Sequence, residues 1–117
     1  MSKISLDLYH DLLVQIYSHL LQYDEKRWTS ILANWIEDVK LLEYCPQKKY
    51  EIINHIERTL KSLGGMNSIG DIVICPEAGH KISSDKNNIE KANKELLRLV
   101  NVLYEEVNKL LLAIRER

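Results

Sequence analysis

The chain has 117 residues, 45% of them hydrophobic and 28% charged, with a formal net charge of −1. That length suits one domain with a core of its own, and the near-neutral balance excludes a global basic field for nucleic acid. No apolar run approaches the roughly 20 residues of a membrane-spanning helix.

Charge is distributed unevenly along the chain. Residues 1–45 hold four Lys/Arg against seven Asp/Glu, and residues 46–63 hold four against two. The acidic part suits a basic partner, beside the simpler reading as solvated helix faces. Asp7 and Asp11 interrupt the first 22 residues, so no secretory signal is expected there. With two cysteines and no such signal, the expectation is reduced thiols in the cytoplasm.

A first helix is expected over residues 5–23. Leu6, Tyr9, Leu13, Ile16 and Leu20 recur at three- and four-residue steps, with Asp7, Asp11, Gln15, Ser18 and Gln22 opposite. Ser5 is its expected N-cap. A second helix is expected over 24–44, capped by Asp24, with Trp28, Ile31, Leu32, Trp35, Ile36, Val39 and Leu42 as its stripe. Its two tryptophans read as core rather than as a ligand platform. Pro46 ends that run and opens a third helix to residue 63, where Ile52, Ile53, Ile56, Leu60 and Leu63 face inward. Gly64 is its expected stop.

The stretch 63–80, LGGMNSIGDIVICPEAGH, contains all four glycines of the chain. Gly64 and Gly65 stop one helix. Ser68 then caps a short turn that includes Asp71, and Ile69, Ile72, Val73 and Ile74 are expected in the core. A lone strand would lack a partner, so a helical turn is preferred. Cys75-Pro76 ends it, and residues 77–81 are expected to be an exposed loop.

The last helix begins near an Asn87–Glu90 capping box and runs to about residue 115. Ile89, Leu96, Leu103 and Leu110 recur every seven residues, interleaved with Asn93, Val100, Val107 and Ile114. Leu97, Leu99, Tyr104, Leu111 and Leu112 widen this face, which favours packing in a bundle over a free coiled coil. The fold expected is all-α: one domain over residues 1–117, a bundle of four main helices with a short helical turn before the long last one.

Motifs for chemistry are weak. Cys45, His55, Cys75 and His80 lack the close ligand pairs of a structural zinc site. Glu51 and His55, four apart, lack the second copy of a Glu-x-x-His di-iron motif. Asp7, His10 and Asp11 read as an exposed first turn rather than an acid–base cluster. Gly64, Gly65 and Gly70 match neither phosphate-binding pattern, and no nucleophile elbow is present. No metal, cofactor or catalytic residue is therefore expected.

The central stretch resembles a family of small helical bacterial proteins. Their mark is Gly-Gly-Met-Gly-Ser-aromatic-Asn-Asp followed by two apolar residues. Here it reads Gly64-Gly65-Met66-Asn67-Ser68-Ile69-Gly70-Asp71-Ile72-Val73, departing at Asn67, Ile69 and Gly70. With its flanking helices the resemblance covers residues 50–111. Several such proteins look like immunity partners of polymorphic or contact-dependent growth-inhibition toxins, so the resemblance implies a neutralising partner. Gly64, Gly65, Met66, Ser68 and Asp71 carry over as structural matches. The expected activity is toxin binding, the toxin being a basic nuclease domain, without direct nucleic-acid or membrane contact. Expected partner contacts are Asp7, Asp11, Asp24, Glu25, Glu37 and Asp38, then Glu77 and His80. The alternative is a helical regulatory or adaptor protein that homodimerises through the last helix.

Overall fold

The computed structural model describes residues 5–43, 48–64 and 68–115, with residue 43 described by its backbone only. The expectations for Pro46, Cys45, Gly65 and Met66 lie outside the described residues. Four α-helices are found there: α1 (Asp7–Gln22), α2 (Lys26–Glu43), α3 (Lys49–Leu63) and α4 (Lys86–Arg115). Two 3-10 turns, Ile69–Asp71 and Pro76–Ala78, lie between α3 and α4. The fold is all-α, with no strand among the described residues.

α1 and α2 pack as a helical hairpin. The chain reverses through Tyr23, Asp24 and Glu25. Asp24 N–H donates to the Leu21 carbonyl (3.0 Å) and Glu25 N–H to the Leu20 carbonyl (3.1 Å). This pair of bonds is a Schellman ending, and its left-handed position, usually glycine, is held by Asp24 at φ 61°. Asp24 therefore does not cap α2 as expected. Glu25 does: its Oε2 accepts the Trp28 N–H at 2.6 Å, and its carbonyl accepts the Thr29 hydroxyl at 2.8 Å. At the start of α4 the cap is likewise displaced. Asp85 Oδ1 accepts the Asn87 N–H at 2.9 Å, so Asn87 lies inside the helix rather than capping it.

α4 is the longest element. Its 30 residues span about 45 Å at 1.5 Å each, most of the 51 Å long axis of the molecule. Leu96, Leu103, Leu110, Val100, Val107 and Ile114 are buried, so the seven-residue pattern is the core seam. Leu99 and Leu111 are buried beside it, whereas Leu97, Tyr104 and Leu112 are exposed. The expected widening of the apolar face thus holds only on one side.

α3 has half the length of α4 and covers only its later part, where Arg115 meets Glu57 at 3.3 Å. The connection 68–85 covers the earlier part. Ile69 and Ile74 are fully buried, and the Asn93 side chain grips Ile74 by both backbone groups. Asn93 Oδ1 accepts the Ile74 N–H (2.8 Å), and its Nδ2 donates to the Ile74 carbonyl (3.0 Å). The polar interruption of the heptad seam therefore does the pairing that a neighbouring strand would do. Neighbouring residues in extended backbone face opposite ways. Ile74 consequently points inward while Val73 is 61% exposed, not in the core as expected. Gly70 fits because a Cβ there would lie 2.5 Å from the Leu63 carbonyl oxygen.

Residues 77–81 are tied down. Gly79 N–H donates to the Pro76 carbonyl (3.0 Å), Cys75 N–H to His80 Nδ1 (3.2 Å) and Lys81 N–H to the Tyr23 carbonyl (2.8 Å). The last bond fastens the connection to the α1–α2 turn.

Candidate functional site

α3 buries a stripe at three- and four-residue spacing: His55, Ile56, Thr59 and Leu63. Two of the four are polar, and a polar group in a core must find partners. Tyr9 of α1, only 1% exposed, supplies them. Its hydroxyl lies 2.6 Å from Thr59 Oγ1 and 2.9 Å from His55 Nδ1, and Thr59 Oγ1 lies 3.2 Å from the His55 carbonyl. The three groups form a closed buried chain that can run in either direction. With the Thr59 proton on the carbonyl, Nδ1–H of His55 donates to Tyr9. With the Thr59 proton on Tyr9, Tyr9 donates to Nδ1 and the ring proton sits on Nε2. Tyr9 and Trp35 meet the ring edge-on, with centroids 5.8 and 6.5 Å away.

The Nε2 side is different. His55 is only 4% exposed, and its Nε2 is buried without a hydrogen-bond partner among the described residues. Asp38 of α2 stands opposite, with Oδ2 at 4.0 Å, and is 51% exposed. Burial holds the His55 pKa below its ordinary value, and the nearby Arg58 charge adds to this. Asp38 and the Trp35 carbonyl act against it. Burial also raises the Tyr9 hydroxyl far above the usual tyrosine range, so it stays a donor at any physiological pH.

Asp38 of α2 and His55 of α3 both line an open groove of about 490 Å³ between the two helices. Glu51, Asn54 and Arg58 line it from α3, and Leu41 and Leu42 from α2. Lys48 at its edge is 3.7 Å from Glu51. Among the described residues no three His, Cys, Asp or Glu side chains lie close enough to hold a metal ion. His80 Nδ1 accepts the Cys75 backbone N–H, so that ring nitrogen is used within the fold, while the Cys75 thiol is free.

The eight expected contact residues do not form one patch. Asp7 and Asp11 are exposed at the start of α1, two residues either side of Tyr9 and so on the face away from it. Glu37 is exposed on α2 and lies 3.6 Å from Lys40. Asp38 alone of the eight lines the α2–α3 groove. The hairpin puts these four at one end of the molecule. At the other end Asp24 lies 3.9 Å from both Lys26 and Lys81, and Glu25 is the α2 cap. Glu77 and His80 sit on the turn beside them, where His80 lines a shallow depression with Glu25 and Trp28.

Tyr9, His55 and Thr59 were not expected together. The signal was present: His55 and Thr59 fall on the α3 stripe with Ile56 and Leu63, and a tyrosine on a core stripe needs a partner for its hydroxyl. Of the motif residues, Ser68 is buried just before the Ile69–Asp71 turn, and its carbonyl accepts the Asp71 N–H at 3.1 Å. Among the described residues no helix is long and apolar enough to cross a membrane. No family model matches the chain, and neither a curated protein nor a solved structure matches it.

Proposed function

We propose that this chain is an immunity protein of the cytoplasm. It binds a cognate bacterial toxin domain, a basic nuclease, and neutralises it by covering the active site or the path of the substrate, with no catalysis of its own. The observation that carries this reading is the state of the carboxylates. Asp24, Glu37, Glu51, Glu57 and Glu95 each lie within 3.9 Å of a lysine or arginine. Asp7, Asp11 and Asp38 cluster at one end of the hairpin without such a partner among the described residues. Glu77, Asp85, Glu90, Glu105 and Glu106 also lack one but are spread over the Pro76–Ala78 turn, the cap of α4 and α4 itself. Charges not answered within the fold keep their field for a cationic surface and speed encounter with it. The resemblance of the central stretch supports the same reading.

The test is whether a large secreted protein with a variable C-terminal domain is encoded directly upstream, followed by co-purification and calorimetry with that domain. Combined Asp7→Lys, Asp11→Lys and Asp38→Lys substitution should weaken binding about tenfold or more. Unchanged affinity would overturn the electrostatic reading, and failure of any such domain to bind the wild-type chain would overturn the function.

A second reading rests on the exposed Leu97, Tyr104 and Leu112 of α4. A regulatory or adaptor protein dimerising through that face would use them as anchors. A stable dimer in sedimentation, dispersed by Leu97→Glu with Tyr104→Glu, would favour it.

A further inference from the structure

We propose that the outer face of α4 holds a second copy of this chain, the two α4 helices running antiparallel about a two-fold axis at the level of Val100. This rests on the dimer reading above and gives it a direction, a register and a seat; it needs no toxin. α1, α3 and the Ile69–Asp71 turn pack against the inner side of α4. On the outer side Leu97, Tyr104 and Leu112 are each more than half exposed. At about 100° per residue, they share a sector of similar width with Lys94, Asn101 and Glu105.

The charges along this face choose the occupant. Before Val100 stand Glu90, Lys91 and Lys94, and after it Glu105, Glu106 and Lys109. None of the six has an ion-pair partner among the described residues. Their signs run minus, plus, plus and then minus, minus, plus. Turned end for end, this series meets itself with every sign opposed. A two-fold axis at Val100 brings Lys94 to Glu105 of the second copy and Glu90 to its Lys109, each within one residue of level. The same operation brings Leu97 to Tyr104 and Leu112 to Ile89. Arg98, near the axis, is answered by Glu95 in its own helix. A parallel pair would instead set Lys94 on Lys94 and Glu105 on Glu105. Val73 completes the contact. It is an apolar residue left 61% exposed beside α4. With Ile89, Lys94 and Leu97 it lines an open groove of about 510 Å³ between α4 and the connection before it. Leu112 of the second copy arrives at Ile89 and enters this groove, and the two-fold axis repeats the contact. Such a contact closes at two chains.

Sedimentation of the full chain tests this, at up to about 0.5 mM because a single helix pair lies among the smaller interfaces. The wild type should dimerise. Lys94→Glu alone and Glu105→Lys alone each turn both symmetric contacts from attraction to repulsion, and should weaken the dimer about tenfold. The double variant exchanges the signs and should return to the wild-type affinity. Val73→Asp should weaken the dimer by spoiling the seat of Leu112, and Glu37→Lys on α2 should leave it unchanged. The substituted positions are all exposed, so urea midpoints should stay near the wild type. A wild type that stays monomeric overturns the proposal and the dimer reading together, and leaves toxin binding standing. A dimer that ignores the charge variants, or that the double variant does not restore, overturns the antiparallel register. Its dispersal by Leu97→Glu with Tyr104→Glu would then leave the dimer reading in place. A dimer indifferent to all of these variants uses another face and overturns both.

Discussion

At the scale of single residues, His55 couples stability to pH. Its pKa in the folded chain lies below the ordinary 6.5, with burial the largest cause. As pH falls through about 6.5 the unfolded chain takes up this proton first, so stability is full above that value. It is lost as pH falls through the lower folded value. Urea midpoints measured on either side of pH 6.5 should show this loss. Asp38 pulls the pKa up. Asp38→Asn must therefore make the His55 ring titrate at still lower pH by NMR, and an upward move would contradict the geometry. Asp24 is the other residue with an unusual burden. It holds a left-handed position at φ 61°, and its two lysine contacts are long, at 3.9 Å. Exposed pairs of that kind contribute a few tenths of a kcal/mol, less than the strain of a side chain in this region. Asp24→Gly should raise stability by about 0.5 kcal/mol, read as a higher urea midpoint. This residue was misread from sequence because Asp before a helix signals a cap, while Glu25 one place later gives its side chain to that task. The difference is set by how α1 ends, which local preference for α2 does not contain.

At the scale of elements, the four helices were legible because their apolar stripes are long and regular. The segment 68–85 was not. Its turns and buried Ile69 follow from local residue types, but its path depends on Asn93, nineteen residues beyond Ile74. An asparagine in a heptad seam reads as a device for register in a coiled coil. Here it serves as the missing strand partner, a role visible only once α3 proves too short to cover α4. The half-length of α3 is thus what makes the central stretch necessary. Asn93→Ala should leave the Ile74 N–H and carbonyl without their partner and cost about 2 kcal/mol. Hydrogen exchange would localise the effect: the Ile74 amide should lose protection well before the amides of α1 and the later half of α4. Uniform loss throughout the chain would mean that the segment and the helices unfold as one unit.

At the scale of the whole molecule, the question is which of two surfaces meets a partner. The groove and the unanswered carboxylates Asp7, Asp11 and Asp38 lie at one end of the α1–α2 hairpin, where α3 packs. The exposed apolar residues Leu97, Tyr104 and Leu112 run along the outside of α4. Sequence periodicity alone cannot separate the two faces of α4, because Leu103 and Tyr104 are both apolar neighbours on a crowded stripe. Burial separates them. Leu103 is fully buried and Tyr104 is exposed. Leu103→Asp would therefore place a charge in the core and unfold the chain, costing several kcal/mol whatever the oligomeric state. The informative variant is Leu97→Glu with Tyr104→Glu, which leaves the seam intact and should change stability by no more than about 0.5 kcal/mol. If α4 is a free face, sedimentation of this variant matches the wild type as a monomer, and toxin binding is unchanged. If α4 is a dimer seam, the wild type sediments as a dimer and the variant as a folded monomer. Combining this variant with the charge reversals at Asp7, Asp11 and Asp38 then tests independence. Sites at opposite faces of the bundle share no partners, so their effects on binding and assembly should add. A marked departure from additivity would mean that one partner surface spans the groove and α4 together.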